Sequence, residues 1–207
     1  MCVVMNLPNR LTIARIIMTL VFVALMSLDS AACHIAAYLI FFAATLTDFY
    51  DGKIARKYNL VTNFGKLLDP VADKLLVVSA FIVMMENPYL NVPGWAVVVI
   101  LAREFLITGV RLLAAGEGAV IAANKWGKAK TFLQMTYAFT FLALAIAAHT
   151  MDTWGDFATR HPEFVNQTTK CIRGGSYWLI IAIAIYTVYS GLQFARANWQ
   201  TLDLQEM

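Results

Sequence analysis

The sequence predicts an all-α integral membrane protein with six transmembrane helices, a short N-terminal interfacial segment and both termini in the cytoplasm. Three observations carry that prediction. Hydrophobic residues make up 60% of the chain and charged residues 14%, with a mean hydropathy of +0.65, which is not a soluble globular composition. The apolar residues fall in six runs of membrane-crossing length. The basic residues gather on one side of a six-span path, and the short loops opposite, near 29–31 and 86–93, contain none, which puts the basic side in the cytoplasm. The 207 residues are expected to form a single domain, 1–207.

Residues 5–10, Met-Asn-Leu-Pro-Asn-Arg, are the interfacial lead-in, where Pro8 and Asn9 set up a helix start. The first span covers about 11–28. Arg15 near its start has two readings: it snorkels to headgroups, or it faces acidic residues further along. The second span begins at about 32 and continues as helix to about 56, beyond the apolar part. Residues 57–63 are the turn, in which Thr62 either caps the next helix or contacts a ligand. The third span covers about 65–85, with Pro70 early enough that its missing N–H costs little. The fourth, about 95–113, contains Arg103, Glu104 and Arg111, with the two arginines roughly 80° apart on an ideal helix. A structural Arg–Glu or Arg–Asp pair competes there with the preferred reading, a phosphate clamp. Lys125, Lys128 and Lys130 enter the fifth span, about 125–148, as headgroup anchors or as part of that clamp. Residues 149–174 read as a solvated polar connection, and about 176–194 as the sixth span.

The net charge of +3 is modest and its basic residues are not grouped as a nucleic-acid surface requires, so no nucleic-acid partner is expected. Cys2, Cys33 and Cys171 show no metal-ligand spacing; a Cys33–Cys171 bridge is left open. No cleavable leader is expected, because the first apolar run lacks a small-residue cleavage site.

The chemistry concentrates between residues 48 and 73, where four of the thirteen acidic residues fall. Asp48 and Asp51 are an i, i+3 pair, and Asp69 and Asp73 an i, i+4 pair, so two helices joined by a short turn can aim four carboxylates at one volume. Such crowding repels unless cations sit among them. Hard oxygen donors suit Mg²⁺ or Mn²⁺, and two ions about 4 Å apart suit a phosphoryl-type displacement. Gly52 and Ala55 let a ligand approach the helix backbone, and Arg56 can fork onto phosphate oxygens.

The pattern Asp48-x2-Asp51-Gly52-x2-Ala55-Arg56-x8-Gly65-x3-Asp69-x3-Asp73 resembles, at every fixed position, the signature of the CDP-alcohol phosphotransferases, integral membrane enzymes of phospholipid synthesis. The segments 8–15, 63–76, 102–111 and 125–131 are similar to those of bacterial phosphatidylglycerophosphate synthases. The resemblance implies transfer of a phosphatidyl group from CDP-diacylglycerol to sn-glycerol 3-phosphate, releasing CMP, by a homodimer in the bacterial inner membrane with its site facing the cytoplasm. It implies Asp48, Asp51, Asp69 and Asp73 as ligands of two Mg²⁺ or Mn²⁺ ions, and Asp73 as the base. It places Gly52, Ala55, Arg56 and Thr62, with Pro8 and Asn9, around the CDP-lipid. Arg103, Arg111 and Lys128 are the expected partners of the acceptor phosphate, since a phosphorylated acceptor calls for fixed cations. The alternatives are a related synthase using inositol phosphate, serine or phosphatidylglycerol, and a divalent-cation transporter, which has no need of Gly52, Ala55 and Arg56 together.

Overall fold

The computed structural model describes the backbone of residues 7–58, 63–116, 125–153 and 157–198, and the side chains of 9–47, 68, 71–114, 116, 126, 127, 129–153 and 157–198. The described chain is helical throughout: α1 Leu7–Met26, α2 Ala31–Tyr58, α3 Asn63–Glu86, α4 Gly94–Gly116, α5 Lys125–Thr153, the single turn α6 Phe157–Arg160, and α7 Pro162–Ala197.

Local chemistry explains where these helices begin and end. The carbonyl of Ser30 accepts the first bond of α2 from His34 N at 3.0 Å, placing the serine at the cap position that its residue type favours. After α3, Asn87 Oδ1 accepts from Tyr89 N at 3.0 Å, a local turn that Pro88 helps to enforce. Pro93 precedes α4 and accepts from Ala96 N at 3.0 Å. Pro162 opens α7 with Glu163 in its first turn and Arg196 in its last, both favourable to the helix dipole.

Two expectations are corrected. The residues 7–10 expected in an interfacial lead-in belong to the first turns of α1, where a proline is tolerated. The polar connection expected over 149–174 is mostly helix: α5 runs on to Thr153, and α7 starts at Pro162 and continues for 36 residues. A helix already nucleated in its apolar half extends cheaply into water, and side chains in this region have partners. His149 Nε2 lies 2.9 Å from Asp29 Oδ1, Tyr89 Oη donates to Asp152 at 2.9 Å, Arg173 donates to the Pro88 carbonyl at 2.8 Å, and Asn91 N donates to Ser176 Oγ at 2.9 Å. These contacts tie α5 and α7 to the loops at the end away from the acidic motif. Cys33 and Cys171 are free thiols.

Three helical stretches are long and apolar enough to cross a membrane: Asn9–Met26, Ala129–Thr153 and Pro162–Ala197. α2 adds a shorter apolar stretch, Ala31–Thr47, while the apolar runs of α3 and α4 are interrupted by Asp69, Asp73 and Lys74 and by Arg103, Glu104 and Arg111. Large apolar side chains such as Leu106, Phe132 and Trp178 are exposed on the outside, as a lipid-facing surface requires. Inside, α1 packs on α2 and α3, α7 packs on α4 and α5, and α5 also touches α2 and α3. Phe22, Phe41, Phe81, Tyr137 and Ile180 form part of one apolar core. Several hydroxyls within the bundle bond carbonyls of their own helices, as Thr19 does to Arg15 at 2.8 Å and Thr45 to Phe41 at 2.9 Å, which avoids stranding those donors in hydrocarbon.

Phe41 sits at the centre of an aromatic group, its ring 5.2 Å from Phe22 and 4.8 Å from Phe139. Phe41→Ala should cost about 3–5 kcal/mol and lower the thermal unfolding midpoint in detergent by about 10 °C; an unchanged midpoint would show that this cluster does not support the fold.

Candidate active site

The alternation of helix direction brings the start of α1, the end of α2 and the start of α3 to one end of the bundle. Asp48 and Asp51 lie in the second half of α2, and Asp69 and Asp73 in the first half of α3, on either side of residues 59–62. This is the two-helix placement expected from the spacing. The side chains of Asp48, Asp51, Asp69, Gly52, Ala55 and Arg56 lie outside the described residues, as do those of Pro8 and Lys128, and Thr62 lies outside altogether. Among the described residues no three His, Cys, Asp or Glu side chains gather as metal ligands.

Asn9 is buried on α1 together with Thr12 and Arg15. These three residues recur at a helical spacing, on the face that α1 turns toward α2 and α3. Arg15 is 1% exposed, so of its two readings the headgroup anchor is excluded: the guanidinium is inside the bundle.

Asp73 is the described member of the acidic set, and its side chain is 36% exposed. Lys74 Nζ sits 3.2 Å from Asp73 Oδ2 and 2.5 Å from Glu104 Oε1. The other oxygen of Glu104 is paired with Lys130 and lies 3.8 Å from Arg103 Nη1. Arg103 Nη2 donates to Ser190 Oγ on α7 at 3.0 Å, and Arg111 lies over the Phe194 ring, 5.3 Å from its centroid. A charged network thus runs from α3 through α4 to α5 and α7.

Of the expected acceptor partners, Arg103 and Arg111 lie about two turns apart on α4. The buried Nε of each has no hydrogen-bond partner among the described residues. A buried donor without an acceptor costs about 1–3 kcal/mol, and two arginines that leave such donors over make a site suited to an anion rich in oxygen atoms. The apolar groove between α3 and α4, about 340 Å³ and lined by Val71, Leu75, Val78, Phe105 and Leu112, has Lys74 in its wall.

Nothing in the spacing links Lys74, Glu104, Lys130 and Ser190, which lie on four different helices. One signal for Lys130 was present: Lys130, Gln134, Tyr137 and Phe141 follow the 3.6-residue repeat, and all four are buried. Nothing in the sequence marked Ser190, which is one hydroxyl in an apolar run.

The family model described as CDP-alcohol phosphatidyltransferase matches residues 5–161. The chain is 36% identical over 209 residues to a Bacillus subtilis protein named CDP-diacylglycerol–glycerol-3-phosphate 3-phosphatidyltransferase, covering 95% of this chain and 97% of that one. Proteins of the same name from Rickettsia typhi and Haemophilus influenzae are 45% identical over 139 residues and 38% identical over 135. These alignments cover 67% and 63% of this chain, and 76% and 71% of the relatives. The match takes in the acidic motif, the arginine helix and the lysine-bearing start of α5, and by its extent the chain belongs to the CDP-alcohol phosphatidyltransferase family.

Proposed function

We propose that this protein transfers the phosphatidyl group of CDP-diacylglycerol to sn-glycerol 3-phosphate, giving phosphatidylglycerophosphate and CMP. The observation that carries the choice of acceptor is the cationic network on α4 and α5. Half-buried arginines whose Nε donors are unused suit an acceptor that bears its own phosphate, and a neutral alcohol would leave them uncompensated. The names of the relatives agree with both substrates.

The four acidic positions offer only carboxylate oxygens, from two helices flanking one short turn, a donor set that fits Mg²⁺ or Mn²⁺. Asp48, Asp51, Asp69 and Asp73 would hold two such ions, which supply neutralisation of the diphosphate charge. Gly52, Ala55, Arg56 and Thr62, with Pro8 and Asn9, surround the CDP-lipid, and the α3–α4 groove offers apolar surface to an acyl chain. Asp73 is the base: it is exposed enough to meet a substrate, and Lys74 holds its carboxylate by a hydrogen bond. The acceptor hydroxyl gives its proton to Asp73 as its oxygen bonds to the β-phosphorus, and the phosphoanhydride bond to CMP breaks. Arg103, Arg111 and Lys128, joined by Lys130, hold the acceptor phosphate.

The protein is a single membrane domain over 1–207 with six spans, α2, α3 and α4 crossing as well as the three apolar helices. Its basic side and active site face the cytoplasm by the positive-inside rule, in the inner membrane of a bacterium, and it works as a homodimer.

Purified protein given labelled CDP-diacylglycerol and a panel of acceptors should form product with glycerol 3-phosphate; product only with inositol phosphate, serine or phosphatidylglycerol would reassign the acceptor. Asp73→Asn should lower kcat by about a hundredfold or more while CDP-lipid binding is largely kept, and undiminished turnover would remove Asp73 as the base. Gly191 on α7 offers an indirect test of Arg103. A Cβ there would lie 3.2 Å from Arg103 Cγ and 3.6 Å from its Nε, so Gly191→Leu must push the arginine aside. Glycine costs a helix about 1 kcal/mol, so the substitution need not weaken α7. KM for glycerol 3-phosphate should rise by about tenfold or more, and an unmoved KM would mean that the position of Arg103 is unimportant.

A further inference from the structure

Glu104 poses a question that the reaction does not answer. A carboxylate beside Arg103 repels the anion that the cationic cluster is there to bind, so its presence weakens the site unless it serves another purpose. Its surroundings supply one. Glu104 is 14% exposed in its side chain and touches cations from three helices: Lys74 of α3, Arg103 of its own α4 and Lys130 of α5. Lys130 is 1% exposed, with like-charged neighbours in Arg103 and Lys74 and the Asp73 carboxylate further off. An ammonium group so buried needs a partner to stay charged and in place. Among the described residues Glu104 is the carboxylate bonded to it.

We infer that Glu104 is a positioning residue for acceptor recognition: it holds Lys130 and Lys74 in one fixed arrangement beside Arg103, so that their remaining N–H donors meet the acceptor phosphate without reorganisation. Each lysine has three donors; Lys74 gives one to Glu104 and one to Asp73, and Lys130 is ion-paired with the other oxygen of Glu104. The carboxylate thereby gives up some electrostatic attraction in exchange for pre-organised donors. Because Lys74 also bonds Asp73, the same carboxylate links the phosphate end of the acceptor to the base that takes its hydroxyl proton. The inference rests on the acceptor carrying a phosphate, as proposed above.

The test is a double-mutant cycle on the full-length enzyme in detergent or liposomes, with Glu104→Gln, Lys130→Gln and the pair. Glu104→Gln should raise KM for glycerol 3-phosphate at least tenfold, with KM for CDP-diacylglycerol and kcat each changed less than threefold. The pair should raise the acceptor KM by clearly less than the product of the two singles, because Glu104 acts in part through that lysine and in part through Lys74. An ion pair serving only stability would instead lower the unfolding midpoint and the amount of active enzyme without moving the acceptor KM. An unmoved acceptor KM in folded Glu104→Gln overturns the inference, as does a pair whose defect is the product of the two singles. Should Glu104→Gln fail to fold, the pair, which removes the most buried cation together with its carboxylate, must fold with an acceptor KM at least as high as that of Lys130→Gln and an unmoved KM for CDP-diacylglycerol; otherwise the inference fails. Failure of the functional reading is separate, since wild-type enzyme would then reject glycerol 3-phosphate. The cycle run with whichever phosphorylated acceptor wild type accepts still decides the role of Glu104, and a wild type that accepts only unphosphorylated alcohols overturns both.

Discussion

The cost of holding charge inside an apolar bundle governs this molecule. A buried ion left without its partner costs about 3–5 kcal/mol, so charges can occupy α3, α4 and α5 only where neighbouring helices bring opposite charges to meet them. Glu104 satisfies that condition for Lys74, Lys130 and Arg103 at once. The network is therefore both a constraint on how four helices pack and a store of oriented donors. Within it a carboxylate of α3 adjoins the cations of α3, α4 and α5. The boundary is the Asp73–Lys74 pair, two successive residues that face different tasks.

Much of this was legible in the sequence because it depends on spacing within one helix. Carboxylates at i, i+3 and i, i+4 must share a face once the segment is helical, and α2 does continue unbroken from Ala31 through the acidic positions to Tyr58. Contacts between helices distant in sequence were not legible. Lys130 differs from its lysine neighbours only in lying on the buried stripe of α5, and Ser190 matters only because α7 packs on α4. Arg15 had two defensible readings, which its burial separates.

The polar stretch after residue 148 was misread for a related reason. Polarity alone signals a loop, yet His149, Asp152 and Arg173 face partners on the loops after α1 and α3, and Pro162 starts a helix within the stretch read as a polar connection. Those ties brace the end of the bundle opposite the acidic motif. With that end held, the helices can keep the basic groups of α3, α4 and α5 at fixed separation toward the other end.

The central claim is that the carboxylates of α2 and α3 form one cation site beside the basic network. Anomalous scattering from crystals of the enzyme grown with Mn²⁺ and a CDP-lipid tests it directly. The account predicts metal peaks between the two helices, within about 2.0–2.6 Å of oxygens from Asp48, Asp51, Asp69 and Asp73. A bound CDP-lipid with those four side chains splayed apart and no metal peak among them would contradict it.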